Sequence, residues 1–475
     1  MITRRDWFHR TALLTGAAAL LPRQWVAAQA PPPAEDPHAG HHGHHGQHEM
    51  APAAPKPVPS PAPPADPPPT RAEVLRRRRE LGYTPVTTPN GRTLPYVLKD
   101  GVKEFHLIAE PVQVEFAPGM TVNVWGYNGS TPGPTIEAVE GDRVRILVTN
   151  HLPEHTSVHW HGLLLPAGMD GVAGLNQPHI QPGETWAYEF TLRQWGTQMY
   201  HPHADEMVQM ALGMMGFFVI HPRKPEGPPV DRDFCIFPHM WAIQPDTATP
   251  DPNVMLDFNL FTFNGRAFPG TDPLVCRLND RVRIRVANLS MTSHPIHIHG
   301  VQVWVTQTDG GPIPRSAWWP ETSVNVAAGQ TRAFEFVADN PGDWAFHCHK
   351  THHAMNAMGH DIPNVLGMDS SGVEQQISKL VKGYMAMGST GMAEHARHAQ
   401  HMPGPANTLP MMTGEGPFGP IEMGGMFTLV KVREGLESYA DPGWYENPAG
   451  TLAWKVETQE APEPAEEHQH HAHGG

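Results

Sequence analysis

An internal repeat is the feature that most constrains how this chain can fold. Residues 142–146 read Asp-Arg-Val-Arg-Ile, and residues 280–284 repeat the same five letters 138 positions later. A second block, residues 183–190, matches residues 329–336 at an offset of 146 through shared Gly, Thr, Glu and Phe positions. Repetition of this kind indicates that one structural unit occurs twice in the chain.

Both copies, over about residues 95–225 and 230–435, carry the pattern of β-strands. Short runs rich in Val, Ile, Phe, Tyr and Thr alternate with turns rich in Pro, Gly and Asn, which is typical of β-sandwiches and barrels. The predicted strands are residues 112–116, 121–127, 143–150, 186–192, 216–220, 234–237, 281–288, 301–306, 332–337 and 343–347. The predicted fold class is therefore all-β, with two β-sandwich domains.

The segments outside the two copies have different compositions. Residues 1–30 contain twin arginines, an apolar run shorter than a membrane span and an Ala-Gln-Ala site, which favours a twin-arginine signal peptide and periplasmic export over an anchoring helix. Residues 31–94 predict a Pro/His-rich linker, and residues 436–475 a C-terminal extension with a His-rich tail. A Met/His-rich insertion at about residues 366–422, with a short helix predicted over residues 373–384, interrupts the second copy.

The composition points towards a metal and away from nucleic acid. A formal charge of −15 without long charge runs argues against nucleic acid as a partner. Only three cysteines argue against a disulfide framework. The 32 histidines and 23 methionines stand out, because imidazole suits copper and zinc while thioether favours Cu(I).

Four His-x-His elements carry the candidate metal chemistry. On a strand, residues i and i+2 point to the same face, so each element presents two imidazoles side by side. One such element would be weak evidence, since surface and core histidines are common, but two repeat-related pairs of elements are specific. The elements are His159-Trp-His161, His201-Pro-His203, His297-Ile-His299 and His347-Cys-His349. Together they offer enough nitrogens for three copper ions.

Cys348 adds a second kind of site. It lies between two of these histidines on the opposite face of the strand, with His353 and Met358 downstream and His294 upstream. Two imidazoles, one thiolate and a weak axial thioether are the ligands of blue-copper electron-transfer sites. A thiolate flanked by two metal-binding histidines is also a covalent electron route between two sites.

The first copy lacks the residues of this second site. Thr156 stands at the position of His294, Pro202 at the position of Cys348, and Met207 at the position of His353. We therefore expect the first copy to contribute only to the histidine-rich site.

The order of these motifs resembles the multicopper oxidase family, which includes laccases, ascorbate oxidases and cuprous oxidases. The resemblance covers roughly residues 112–358 and a closing strand near residues 425–430, and it implies cupredoxin-like Greek-key domains. It also implies four copper ions per functional unit, namely one type 1, one type 2 and two type 3. The implied ligands are His294, Cys348, His353 and axial Met358 for type 1, His159 and His297 for type 2, and His161, His201, His203, His299, His347 and His349 for type 3.

The resemblance implies one-electron oxidation of a reductant at type 1 copper and reduction of O2 to water at the other three ions. Asp170, nine residues after His161, matches an acid near the type 2 copper in similar family members and is a candidate proton relay, although a plain turn aspartate is the alternative. Ala354 stands where some members have a glutamate, which leaves the second proton donor open.

Two domains, where many family members have three, affect the expected assembly. In two-domain members similar to the small laccases, the histidines of one domain meet those of a neighbouring subunit. A head-to-tail interface that closes forms a ring. The expected assembly is a homotrimer with intersubunit sites of three coppers and no membrane span.

Other functions remain open at this stage. A copper nitrite reductase also has two such domains, but it would carry its blue copper in the first one. A periplasmic copper-binding or delivery protein would account for the His/Met-rich segments. Within the oxidase reading, Cu(I) in copper tolerance, a phenolic compound or Mn(II) is the candidate reductant.

Overall fold

The computed structural model describes residues 59–355, except residues 226, 245, 246 and 257, together with residue 379 and residues 414–456. The predicted signal peptide, both His-rich clusters, Met358 and nearly all of the Met/His-rich insertion with its predicted helix lie outside the described residues. No helix of the described part is long and apolar enough to cross a membrane.

The first copy is a sandwich of two sheets. Its strands are β1 (Ser60–Pro61), β2 (Tyr96–Lys99), β3 (Val102–Ala117), β4 (Met120–Tyr127), β5 (Gly133–Val139), β6 (Arg143–Asn150), β7 (His159–His161), β8 (Thr185–Thr191), β9 (Gly196–His201) and β10 (Gly216–His221). One sheet has the order β1-β3-β6-β8, with β2 and β4 also paired to β3, and the other has the order β5-β10-β9-β7. Alternation on β6 buries Val144, Ile146 and Val148 between the sheets.

The second copy is a sandwich of the same kind with additional hairpins. Its strands are β11 (Arg232–Ile236), β12 (Pro238–Trp241), β13 (Leu260–Phe263), β14 (Leu274–Arg277), β15 (Arg281–Asn288), β16 (His294–Ile298), β17 (Val303–Thr308), β18 (Gly311–Pro312), β19 (Trp319–Glu321), β20 (Ser323–Val326), β21 (Gln330–Val337), β22 (Gly342–Cys348), β23 (Gly414–Gly416), β24 (Gly419–Ile421) and β25 (Phe427–Arg433). One sheet has the order β11-β15-β21-β17-β18, with β19 paired to β17, and the other has the order β14-β25-β22-β16-β20.

The duplicated sequence corresponds to a duplicated topology. The order β3-β6-β8 in the first copy recurs as β11-β15-β21, and β5-β10-β9-β7 recurs as β14-β25-β22-β16. Parallel pairing recurs as well, since β3 with β6 and β5 with β10 correspond to β11 with β15 and β14 with β25. β25, which follows the insertion, takes the place of β10. The all-β, two-sandwich prediction is confirmed.

The repeat extends to the loops that lead into the histidine strands. The Nδ2 group of Asn150 donates to two backbone carbonyls at 2.8 and 2.9 Å, and that of Asn288 donates to two at the same distances. Each Oδ1 accepts a backbone N–H two residues on, at 2.8 Å. These asparagines close the loops before β7 and β16 and so fix where the histidines of those strands begin.

Helices are few. They are α1 (Arg71–Leu81), α2 (Glu206–Ala211) and the 3-10 turns Ala167–Met169, Arg315–Ala317 and Thr351–Ala354. α1 lies within the range 31–94 that composition predicts as linker. A capping box between Thr70 and Glu73 starts it, and Gly82 at φ 81° ends it. Val74 is its one buried residue, so no apolar periodicity marks it in the sequence.

A buried ion pair joins the two copies. Asp233 on β11 and Arg285 on β15 are both 1% exposed and form two hydrogen bonds of 2.7 and 2.8 Å. Nη1 of Arg285 also donates to Oγ1 of Thr197 on β9, at 2.8 Å. Burial would raise the pKa of Asp233, but the charges of Arg285 and Arg283 outweigh burial and hold it below its ordinary value.

Replacing Asp233 tests this link. D233N leaves the buried Arg285 charge without its partner, so we expect the free energy of unfolding to fall by about 3–5 kcal/mol. Urea unfolding at neutral pH measures it. The matched control E80Q breaks the exposed Arg76–Glu80 pair of α1 and is expected to change stability by less than about 1 kcal/mol. Equal midpoints for D233N and the parent would contradict the role given to this pair.

Candidate metal centres

The cysteine site consists of His294, Cys348 and His353, and all three side chains are buried. Sγ of Cys348 lies 3.6 Å from Nδ1 of His294 and 3.6 Å from Nδ1 of His353, and the two nitrogens are 3.3 Å apart. β16, β22 and the turn Thr351–Ala354 supply one residue each. The three atoms therefore converge on one point, as the ligands of a metal ion would.

Neighbouring groups fix the two rings of the cysteine site. Oγ of Ser290 donates to Oδ1 of Asn288 at 2.7 Å, so it accepts from Nε2–H of His294 at 2.6 Å. This bond leaves the Nδ1 lone pair of His294 facing the sulfur. Phe261 stacks on the ring of His353 at 4.5 Å. Both rings are thus oriented before any metal arrives.

Burial sets the protonation of the cysteine site. It lowers the pKa of His294 to about 2 and that of His353 to about 4, so both imidazoles are neutral at pH 7 and can act as ligands. Burial raises the pKa of the Cys348 thiol to about 11. Metal binding at this site therefore has to displace the thiol proton, and its affinity falls as the pH is lowered.

The first histidine group comprises His159, His161, His201 and His203, on β7 and at the end of β9. Ligand atoms of the first three lie within 4.8 Å of one another. Nδ1 of His159 donates to the carbonyl of Asp170, and Nδ1 of His201 to the carbonyl of Pro202, both at 2.8 Å. Their Nε2 atoms are left for a metal, and Nε2 of His201 lies 3.2 Å from Nδ1 of His161.

The second histidine group comprises His297, His299, His347 and His349, and it repeats this arrangement. Nδ1 of His297 donates to the carbonyl of Thr322 at 2.6 Å, and Nδ1 of His347 to that of Cys348 at 3.0 Å. Nε2 of His299 lies 3.2 Å from Nε2 of His347. Again one nitrogen of a ring is tied to the backbone and the other faces its neighbours.

The two histidine groups are separate within the described chain. Ring contacts join members of the first group at 5.3–6.2 Å and members of the second at 4.7–5.6 Å, and none of them joins one group to the other. The second copy approaches the first group at Gly329, where a Cβ atom would lie 3.9 Å from Cε1 of His161.

Burial also keeps several of these imidazoles neutral. It lowers the pKa of His201 to about 3 and that of His347 to about 4, and it lowers the pKa values of His161 and His299. The residue types form a donor set that fits copper: two imidazole nitrogens and one sulfur in the cysteine site, and imidazole nitrogens alone in the histidine groups.

The cysteine site and the second histidine group share their strands. In the antiparallel pairing of β16 with β22, Ile296 lies opposite Cys348 and His297 lies opposite His347. Cys348 belongs to the sandwich core, whereas His347 and His349 face the other side of the sheet. The two sites are therefore separated by one sheet and joined through the peptide bonds of Cys348.

The matching position in the first copy holds polar protein groups. Oγ1 of Thr156 donates to Oε1 of Gln209 at 2.7 Å, and Nε2 of Gln209 donates to the carbonyl of His155 at 2.8 Å. Gln209 and Thr156 are fully buried. Pro202 stands where the second copy has Cys348, so the first copy has no thiol at this position. The Gln209 side chain lies beside Thr156, which stands where the second copy has His294.

Two carboxylates lie beside the first histidine group. Oδ1 of Asp170 is 3.5 Å from Nδ1 of His159, and the side chain is 31% exposed. Glu206, at the start of α2, is 3.6 Å from both Nδ1 of His201 and Nε2 of His203. The sequence analysis missed Glu206, Ser290 and Phe261, since their roles depend on contacts that the motifs do not encode.

Ser290 provides a test of the cysteine site. S290A removes the acceptor of the Nε2–H of His294, so copper affinity at this site is expected to fall by about 10- to 100-fold. Titration of the apo-protein with Cu(II), followed by the absorption of the copper–thiolate bond, measures it. The control S130A removes a hydroxyl from the first copy, where Oγ bonds only the carbonyl of Tyr127. An unchanged affinity in S290A would refute the orienting role of this serine.

Comparison with known proteins gives two family matches. Two family models, both described as multicopper oxidase, match residues 109–225 and 244–365, together about half of the chain. Among solved structures, the multicopper oxidase mgLAC aligns with a TM-score of 0.52 and 25% identity, over 69% of this chain and 86% of that one.

Curated relatives match over shorter stretches. Copper resistance protein A of Escherichia coli is 42% identical over 24% of this chain and 19% of its own length. Laccase-1 of Cryptococcus neoformans var. grubii is 34% identical over 41% of this chain and 36% of its own. A probable nitrite reductase-hydroxylamine oxidoreductase fusion protein of Kuenenia stuttgartiensis is 28% identical over 55% of this chain and 31% of its own. The chain thus spans about a fifth to a third of these relatives.

Proposed function

Because the chain belongs to the multicopper oxidase family, we propose that it couples one-electron oxidation of a small reductant to the four-electron reduction of O2 to water. The observation that carries the proposal is the bonding of Cys348 between His347 and His349, which links the cysteine site to a histidine group through two peptide units. Bound copper would supply the redox chemistry at both sites.

In the proposal, each set of residues holds one class of copper. The type 1 ligands are His294, Cys348, His353 and Met358, the last of which lies outside the described residues. The type 2 ligands are His159 and His297, and the type 3 ligands are His161, His201, His203, His299, His347 and His349. Two observations support these assignments: burial lowers the pKa values of His201 and His347, and one nitrogen of His159, His201, His297 and His347 bonds a backbone carbonyl.

Asp170 is proposed as a proton relay of the oxygen site. Its carbonyl orients His159, and its partly exposed carboxylate lies 3.5 Å from the Nδ1 atom of that ring. A carboxylate that touches both solvent and a metal-ligand ring can pass protons inwards. Ala354 has no carboxylate, so this position cannot supply a second proton donor.

We further propose that the active form is a homotrimer. Each histidine group has four imidazoles, half of the set that the family uses, and no ring contact joins the two groups within the described chain. A head-to-tail contact that brings the first group of one subunit to the second group of its neighbour closes into a ring of three. Such a ring holds three complete oxygen sites.

Subunit mixing tests the shared site. H203A damages the first group and H349A the second, so each variant alone is expected to be inactive. In trimers reassembled from equal amounts of both, a site is intact where the first group of an H349A subunit meets the second group of an H203A subunit. Random mixing therefore restores about a quarter of the parent O2 consumption.

The controls for mixing are the two variants reassembled separately and the mass of each assembly by light scattering. Recovery of activity that appears only in the mixture supports the intersubunit site. Failure of the mixture to exceed either variant, although its trimers form, would mean that each chain completes its own site.

Cu(I) is the reductant that we favour, in a role in copper tolerance. The Met/His-rich insertion follows Met358 directly, and thioether ligands prefer Cu(I). Similarity to copper resistance protein A supports this choice, while similarity to Laccase-1 supports a phenolic reductant as the second candidate. Mn(II) is a third. A periplasmic location belongs to the same proposal, and the twin-arginine motif in the sequence supports it.

Deleting residues 385–415 separates the first two candidates. We expect Cu(I) oxidation to fall at least about tenfold, because Met and His ligands that deliver Cu(I) are lost, while dimethoxyphenol oxidation stays the same or rises. Steady-state O2 consumption with each reductant measures both. Replacing the segment with Gly and Ser of the same length controls for loop shortening. Unchanged Cu(I) turnover in both variants would rule out a copper channel in the insertion.

Two other functions have less support. The relative from Kuenenia stuttgartiensis has nitrite reductase in its name, yet the cysteine of this chain lies in the second copy and is flanked by two histidines that belong to a metal group. A copper-delivery protein would bind copper without O2 consumption, so the same oxygen measurement excludes or supports it.

A further inference from the structure

A cavity of about 420 Å³ lies away from the metal centres, where three parts of the chain meet. Its walls come from the proline-rich stretch 65–69, the segment 86–93 that follows α1, and Tyr439 of the C-terminal extension. Its floor comes from the second copy, through Arg232, Phe234 and Val275.

Arg232 is unusual among the arginines of this protein. It is 3% exposed, and its guanidinium lies between two aromatic rings, 3.9 Å from the centre of Tyr439 and 4.7 Å from that of Phe234. Nε donates to the carbonyl of Val275 at 3.3 Å. Two aromatic rings therefore lie against the guanidinium.

The remaining N–H groups of Arg232 have no partner in the part of the chain that the structure describes. Within this part, no carboxylate lies within 4 Å of the guanidinium, and Nη1 and Nη2 make no hydrogen bond. Asp280 contributes a favourable charge from further away, but its carboxylate accepts from the backbone N–H of Arg277 at 2.8 Å. Burying an arginine with one of its five N–H donors bonded costs free energy of folding unless a ligand or water accepts hydrogen bonds from the other four.

The charged residues at the rim of the cavity limit which ligand can bond the free N–H groups of Arg232. Asp66, Asp272 and Asp441 are exposed and each already accepts a hydrogen bond, from the N–H of Thr93, the N–H of Asn90 and Nζ of Lys431 respectively. Arg77 is the cationic residue at the rim. A guest with several negative charges would be repelled here, whereas one with a neutral or cationic outer end would not.

We propose that this cavity binds a small monocarboxylate, such as an amino acid, whose carboxylate pairs with the two terminal nitrogens of Arg232. Planar guanidinium and planar carboxylate match as a two-bond fork, and the two terminal nitrogens of Arg232 carry the N–H groups that such a fork needs. The ammonium group of an amino acid then faces the rim aspartates. Binding joins the N-terminal segment, the second copy and the C-terminal extension.

Equilibrium dialysis of the full chain with radiolabelled glycine and acetate tests the proposal. We expect about one equivalent of glycine per chain, competed by acetate and not by chloride at equal ionic strength. R232K keeps the charge but loses the fork, so it is expected to bind at least about tenfold more weakly. R315K, at an exposed arginine beside Trp318 that does not line this cavity, is the matched control and is expected to bind like the parent.

Two further variants keep the outcome clear. A65F narrows the cavity from its proline-rich wall and leaves Arg232 unchanged, so we expect it to bind glycine more weakly as well. It replaces R232K as the test if R232K does not fold. A chain ending at Val456 lacks the glutamates of the tail, so tighter glycine binding by this chain identifies a tail carboxylate as the natural occupant. The proposal fails if neither the parent nor the shortened chain binds glycine saturably, or if A65F and R232K bind as the parent does.

Discussion

The strict alternation of side chains along β16 and β22 is the constraint on which both candidate metal sites of the second copy depend. On these two strands, one face carries His294 and Cys348 into the sandwich core, and the other carries His297 and His347 outwards. A shift of one residue in this pairing would exchange the two faces and destroy both sites at once. The hydrophobic core therefore holds the register, because Ile296 and Ile298 share the inner face with the cysteine site.

The duplication explains why one copy has two sites and the other has one. Both copies have the outward histidines, whose positions follow from strand alternation and, for β7 and β16, from the asparagine that closes the preceding loop. The inward site requires three ligand residues, and the first copy has other residues at all three positions. Thr156 and Gln209 bond each other in the buried space, so neither of these two side chains is left unpaired.

Much of the fold and of the site could be predicted because the sequence signals were local and periodic. The strands have period two, the repeat gives the topology of the second copy from the first, and His-x-His on a strand fixes which rings are neighbours. α1 could not be found in this way, because its face is polar and Val74 is its one buried residue. The capping box at Thr70 and Glu73, which begins the helix, was the available signal. Ser290, Phe261 and Arg232 act through contacts between distant segments, which no local pattern encodes.

Protonation distinguishes the histidine groups from the cysteine site before any metal is present. Burial favours the neutral form of an imidazole, and the neutral form is also the ligand, so the cost of burying His201 or His347 is compatible with binding. Burial likewise favours the neutral thiol of Cys348, but there the ligand is the anion. The scaffold can thus fold with His201, His294, His347, His353 and Cys348 uncharged, and among these five the thiol is the group whose proton a metal ion would have to remove. Metal binding through Cys348 would therefore weaken as the pH falls, since protons compete for the thiolate.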